Sequence, residues 1–117
     1  MLMKLAEICC ETGLRQVDMN LVIQEKEVNG CYIGDLLSNV MAHAQAGDIW
    51  LTVQTHRNVV AIAVLLNLTA IVFVEGHQPQ ADTVERAHDE GVPLFSWSDS
   101  AYQLARELSF AGIGSEK

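Results

Sequence analysis

The chain has 117 residues, half of them apolar and 19% charged, with 15 acidic against 7 basic side chains and a formal charge of −8. That length fits one domain, 1–117, able to bury about two thirds of its unfolded surface, and the apolar fraction argues against a disordered chain. The negative balance argues against nucleic acid and anionic membrane surfaces as partners.

Residues 2–11 place Leu2, Leu5, Ala6 and Cys9 on one side at helical spacing, with Gly13 as a stop, which predicts a first helix. Lys4 and Glu7 interrupt this apolar run, so it lacks the core of a secretion signal and a cytoplasmic location is expected. From Leu14 to Ile33 the pattern is irregular, with strand-like pieces at 20–23 and 28–33 around the charged triplet Glu25, Lys26 and Glu27. Asp35 is placed to cap a second helix that gathers Leu36, Leu37, Val40, Met41 and Ala44 on one face, opposite Asp35, Ser38, Asn39 and Ala42.

Beyond Gly47 the chain becomes repetitive. Strands are predicted at 49–53, 70–74 and 92–97, and helices at 56–67, 82–90 and 101–110, with a tail after about residue 112. Three alternations with short connections imply parallel strands joined by right-handed helical crossovers. AIVFV is apolar on both faces, as a strand covered by helices on two sides should be. The run 59–66 is apolar nearly all round, and its length favours a largely buried helix over a strand. It is also far short of the roughly 20 residues that cross a bilayer, so no membrane span is expected.

The segment GDIWLTVQTHRNVVAIA runs from a strand into Gln54, Thr55, His56 and Asn58 and then into a helix. In an open α/β sheet, ligands bind where strand carboxyl ends meet the first turns of the following helices. Thr55 is expected to cap that helix. The exposed N–H groups, with Gln54, His56 and Asn58, form a candidate site for an anion or polar head group.

Histidine is a common general base, but the sequence offers His56 no nucleophile in an elbow or triad context. His43, His56, His77 and His88 lack the short spacing that puts two imidazoles on one helical face, and the three cysteines lack a CxxC pair. No metal or cofactor is therefore expected, the alternative being an iron–sulfur cluster on Cys9, Cys10 and Cys31, pooled across a dimer. Three cysteines also form no disulfide framework, which suits a reducing compartment. Neither GxxxxGK[ST] nor GxGxxG occurs, which argues against a self-contained nucleotide-hydrolysing or dinucleotide-dependent enzyme.

The runs NGCYIGDLLSNVMAHAQAGDIWLTVQTHRNVVAIA and AIVFVEGHQPQADTVERAHDEGVPLF, read together, resemble the DRTGG domain family over nearly the whole chain. The eponymous Asp-Arg-Thr-Gly-Gly reads Glu27, Val28, Asn29, Gly30, Cys31 here, so one of five positions agrees. The resemblance implies a fold like the N-terminal domain of HPr kinase/phosphorylase, and the accessory, non-catalytic role of such domains beside CBS pairs. Some stand-alone members are described as hydrogenase-associated.

The expectation is thus a three-layer α/β domain, its mostly parallel sheet flanked by helices, serving as a homodimeric regulatory module. It would bind a small polar or anionic ligand or a partner protein through Asp35, Ser38, Gln54, Thr55, His56 and Asn58. Self-association is expected from the apolar 59–66 helix and the Leu36 to Met41 face. The enzymatic alternative is a small hydrolase or transferase using His56 with Asp35, and the redox alternative rests on the cysteines.

Overall fold

A computed structural model describes residues 3–114. Its elements are β1 (Met3–Lys4), α1 (Leu5–Thr12), β2 (Arg15–Gln16), β3 (Glu27–Val28), β4 (Gly30–Ile33), α2 (Leu37–His43), β5 (Asp48–Thr52), α3 (Asn58–Leu66), β6 (Ala70–Phe73), α4 (Ala81–Glu90), β7 (Leu94–Ser96) and α5 (Ala101–Ala111). The main sheet has the order β2-β7-β6-β5-β4, parallel from β4 to β7 and antiparallel only where β2 joins its edge. A two-residue antiparallel ribbon pairs β1 with β3.

Alternation along each strand sorts the core into two layers. Trp50, Ile71, Phe73 and Leu94 pack with Val40, Val59, Val60, Ile62, Ala63 and Ala87, which puts α2, α3 and α4 on one face. Ile49, Leu51, Ala70, Val72 and Phe95 pack with Leu5, Ile8, Leu104 and Leu108, which puts α1 and α5 on the other. Right-handed crossovers between strands that advance steadily across the sheet must land on one side, hence the shared face of α2, α3 and α4. Trp50 Nε1 donates to the Gly34 carbonyl at 2.8 Å and Thr69 Oγ1 to that of Glu27 at 2.7 Å, so these two groups beside the core are satisfied.

The expected three-layer, mostly parallel α/β architecture is the observed one, and the three strand–helix alternations after Gly47 stand within a few residues of their expected bounds. The N-terminal third differs. The first helix starts at Leu5 because Met3 and Lys4 are drawn into the ribbon with Glu27 and Val28, and Leu2 lies outside the described residues. Residues 20–23 are not a strand but part of a loop whose carbonyls at Asp18 and Leu21 are tied by the Gln16 amide, each at 2.9 Å. The tail expected after about residue 112 includes Ile113, which is buried in the α1/α5 layer, while residues 115–117 lie outside the described set.

Two expected helix caps are corrected. Asp35 does not cap α2, whose N-cap is Leu36; its carboxylate turns to donors at the end of β5 instead. Thr55 does not cap α3 either, because that helix begins two residues later, behind Arg57.

The α3 helix, expected to be buried nearly all round, hides Val59, Val60, Ile62 and Ala63 while Leu65 stays 66% exposed. On the neighbouring α2 side Val40 is buried but Leu36 is 63% exposed.

Candidate functional site

At the carboxyl end of β5, Asp35 Oδ1 accepts from Thr52 Oγ1 and from Val53 N, both at 2.8 Å. Gln54 Nε2 donates to the Asp35 carbonyl at 3.0 Å, and Gln54 N to Thr52 Oγ1 at 3.1 Å. Asp35 and Gln54 are therefore brought together as a clasp that holds the β4–α2 connection against β5. The Thr55 carbonyl accepts from Thr83 Oγ1 at 2.8 Å and from Gln80 N at 3.3 Å, which ties this turn to the start of α4.

His56 and Asn58 also meet. His56 Nδ1 accepts from Asn58 N at 3.2 Å and so supplies the capping contact assigned above to Thr55. Ser38 is exposed on α2 and its side chain makes no hydrogen bond among the described residues. His56 and Asp35 make no hydrogen bond to each other, as the pairing of the enzymatic alternative would require.

A cavity opens two strands away, at the ends of β6 and β7. After β6 the chain crosses to α4 on one face of the sheet, and after β7 it crosses to α5 on the other. Adjacent parallel strands that send their connections to opposite faces leave a crevice outside their carboxyl ends. A cavity of about 400 Å³ lies there, lined by Gly13, Arg15, Gly76, Gln78, Ser96, Trp97 and Ser98. None of the six residues expected from sequence lines it.

Local structure explains its shape. Glu75 and Gly76 both have positive φ, at 60° and 77°, and His77 N donates to the Val74 carbonyl at 3.2 Å, as in a turn of the I′ kind. Gly76 N donates to the Trp97 carbonyl at 3.0 Å and Glu75 N to that of Asp99 at 2.8 Å, so the β6–α4 and β7–α5 loops are stitched together. Gly13, the left-handed cap of α1, turns the chain into β2, where the register sets Arg15 opposite Ser96. Neither Gly13 nor Gly76 has an atom within 4 Å of where a Cβ would stand, so both leave open space.

Chemically the crevice offers a guanidinium, two hydroxyls, an amide and an indole. No carboxylate pairs with Arg15 among the described residues. Trp97 Nε1 is buried with no hydrogen-bond partner there, a state that costs about 1–3 kcal/mol for a neutral donor. The flanking Asp99 carboxylate accepts from Ser100 N at 2.8 Å, immediately before α5.

Burial pushes the Cys9 thiol up to about 11, with its neighbour Cys10 adding to the effect, and burial pushes Cys31 up to about 12 with Asp48 adding. Among the described residues no group of three His, Cys, Asp or Glu side chains is placed to share a metal ion, and no helix is long and apolar enough to cross a membrane.

No protein-family model matches this sequence, and no curated protein does. A solved structure does match: the crystal structure of the CBS and DRTGG domains of the regulatory region of Clostridium perfringens pyrophosphatase, complexed with activator, diadenosine tetraphosphate. The TM-score is 0.67 at 14% identity, over 90% of this chain and 45% of that one. At that identity the likeness is one of fold: the chain has a DRTGG-like α/β fold, as its sequence resemblance implied. It spans less than half the length of the neighbour's chain.

Proposed function

We propose that this domain is a non-catalytic regulatory module that recognises a small phosphorylated ligand in the Arg15 crevice. The observation that carries the reading is the cavity at the β6/β7 switch point, where a cationic side chain faces two serine hydroxyls and the Gln78 amide. Its size falls within the roughly 300–1,000 Å³ of small-molecule sites. Arginine is suited to phosphate because its planar fork donates two parallel hydrogen bonds. The fold neighbour, a regulatory region bound to a phosphorylated activator, supports the same reading. A non-catalytic role agrees with His56, whose Nδ1 is engaged by a backbone N–H.

Within this reading Asp35, Gln54 and Thr55 hold the carboxyl edge of the sheet in shape. Ser38, His56 and Asn58 remain exposed for a ligand's outer part or a partner protein. The module also pairs with a second copy through the exposed apolar side chains of α2 and α3, including Leu36, Met41 and Leu65.

Calorimetric titration with inorganic pyrophosphate tests the site. The native protein should bind, and Arg15→Gln should weaken binding by about tenfold or more, the loss of one charge-assisted contact. Failure of the native protein to bind, or equal binding by the variant, refutes it. Light scattering that shows a monomer at high micromolar concentration refutes the pairing.

A further inference from the structure

The two edges of the main sheet are guarded unequally. β2 is two residues long and carries Arg15, whereas the four residues of β4, Gly30-Cys31-Tyr32-Ile33, hold no charge and no proline. Native sheets blunt an open edge with charge, proline or a bulge, because its unpaired N–H and C=O groups otherwise accept another strand. Gly34 N donates to the Leu51 carbonyl at 3.2 Å, which fixes the phase of the β4–β5 ladder. Gly30, Tyr32 and Gly34 therefore turn their backbone groups to β5, and Cys31 and Ile33 turn theirs outward. Among the described residues no strand of the sheet lies beyond them, and the Ile33 side chain is 49% exposed.

This edge is close to its own inverse in sequence. About Tyr32, Cys31 is matched by Ile33, Gly30 by Gly34 and Asn29 by Asp35. Resting on the pairing given under Proposed function, we propose that the occupant of the edge is β4 of a second copy, laid antiparallel about a two-fold axis at Tyr32, so that one sheet runs through both copies. A two-fold contact needs a surface that complements itself, and this segment is such a surface. Cys31 of one copy stands opposite Ile33 of the other, and the two exchange both backbone bonds, at two symmetric positions. The Tyr32 side chains meet between them at the closer, non-hydrogen-bonded position, where aromatic cross-strand pairs are favourable. Glycine faces glycine on either side, which leaves the rings room; the Tyr32 ring already lies over Gly34, where a Cβ would come within 2.9 Å of it.

Charge agrees with this occupant. At each end of the paired strands the Asn29 amide faces the Asp35 carboxylate, so a chain of net charge −8 meets its copy with no like charges opposed along the seam. The exposed Leu36 and Met41 belong to α2, the crossover from β4 to β5, so the helix-face contact and the strand contact form one interface.

Three measurements on the full chain test the pairing. In the native dimer the amides of Cys31 and Ile33 should exchange at least about tenfold more slowly than in an unstructured peptide of the same sequence, as followed by NMR. Ile33→Pro removes an outward N–H while leaving the ladder to β5 in place, so it should weaken dimerisation by about tenfold or more and release the Cys31 amide. Tyr32→Cys, oxidised with diamide, should join the two introduced thiols in most of the protein, as mapped by mass spectrometry, with the exposed Cys10 as the measure of chance collision. Where Ile33→Pro does not fold, the amide and thiol measurements decide. A native dimer whose Cys31 and Ile33 amides exchange as freely as the peptide's, or introduced thiols that link no more than Cys10 does, overturns the strand pairing and leaves the helix-face pairing standing. Folded Ile33→Pro with unaltered association overturns it as well, and a native monomer at high micromolar concentration overturns both.

Discussion

Removing the Asp35 carboxylate should unfasten the β4–α2 connection without touching the Arg15 crevice. Its Oδ1 receives two donors at 2.8 Å, one from the fully buried Thr52 hydroxyl and one from Val53 N. Hydrogen bonds to a charged acceptor contribute about 1.5–3 kcal/mol each, but Asp35 is itself exposed, so water can replace the bond to Val53 N more cheaply than the one to buried Thr52. Asp35→Ala should therefore cost about 1.5–2 kcal/mol, a fall in Tm of roughly 5–10 °C for a domain of this length. Asp35→Asn keeps an oxygen in place and should cost less than half as much. Urea denaturation of the three proteins, followed by fluorescence, measures both values. A loss below about 0.5 kcal/mol for Asp35→Ala would show that the clasp contributes nothing and that this carboxylate is free for other work.

Gly47 has φ 88°, and a Cβ there would collide with the Asn29 side chain, whose Nδ2 donates to the Ala46 carbonyl at 3.1 Å. Gly47→Ala should cost about 2–3 kcal/mol, and about 1 kcal/mol of that should vanish in an Asn29→Ala background, whereas strictly additive unfolding energies would contradict the clash. Asp48 is 7% exposed and burial, opposed in part by the Gln45 N–H, raises its pKa, so the native state holds this proton more tightly than the unfolded chain does. The penalty applies at neutral pH and is relieved as pH falls through the raised pKa toward the ordinary value near 3.9. Asp48→Asn should then raise Tm at pH 7, with a gain that shrinks by pH 4; a constant difference in calorimetric scans would refute the burial argument. Glu75 holds a left-handed φ of 60° beside the crevice, and Glu75→Gly should stabilise the fold by about 0.5–1 kcal/mol, read from the urea midpoint.

The sheet was legible in the sequence where it obeys local rules. Residues 48–96 alternate apolar strands with helices of ordinary length, and parallel neighbours joined by right-handed crossovers are nearly the sole arrangement of such units. The N-terminal strands were not legible, because β1, β2 and β3 are two residues each and exist through pairing with segments distant in sequence. No periodicity can be read from Arg15–Gln16; its conformation is set by β7, some eighty residues further on. The caps failed for a related reason. Asp35 and Thr55 have the chemistry of N-cap residues, yet Thr52, Val53 and Thr83 offered them or their carbonyls tertiary partners that outcompeted the helix ends.

The same distinction governs the site. The rule that ligands gather at strand carboxyl ends pointed to this edge of the sheet, and the crossing of α5 to the opposite face is what sets the proposed β6/β7 crevice apart from the end of β5. That crossing is a property of two core layers, invisible in any single segment. What the sequence did carry was the turn Glu75-Gly76 and the polar run Ser96-Trp97-Ser98, each unremarkable until the register brings Arg15 across from Ser96. The cation of the crevice therefore rides on a strand held by a two-residue ladder and the bond from Val17 N to the Leu94 carbonyl. An anion that bridges Arg15 to the β6–α4 and β7–α5 loops must tighten this edge as it binds, since a ligand stabilises whichever state it prefers. Under the proposed function, recognition and ordering of the sheet edge are in that sense one equilibrium, as a regulatory module requires.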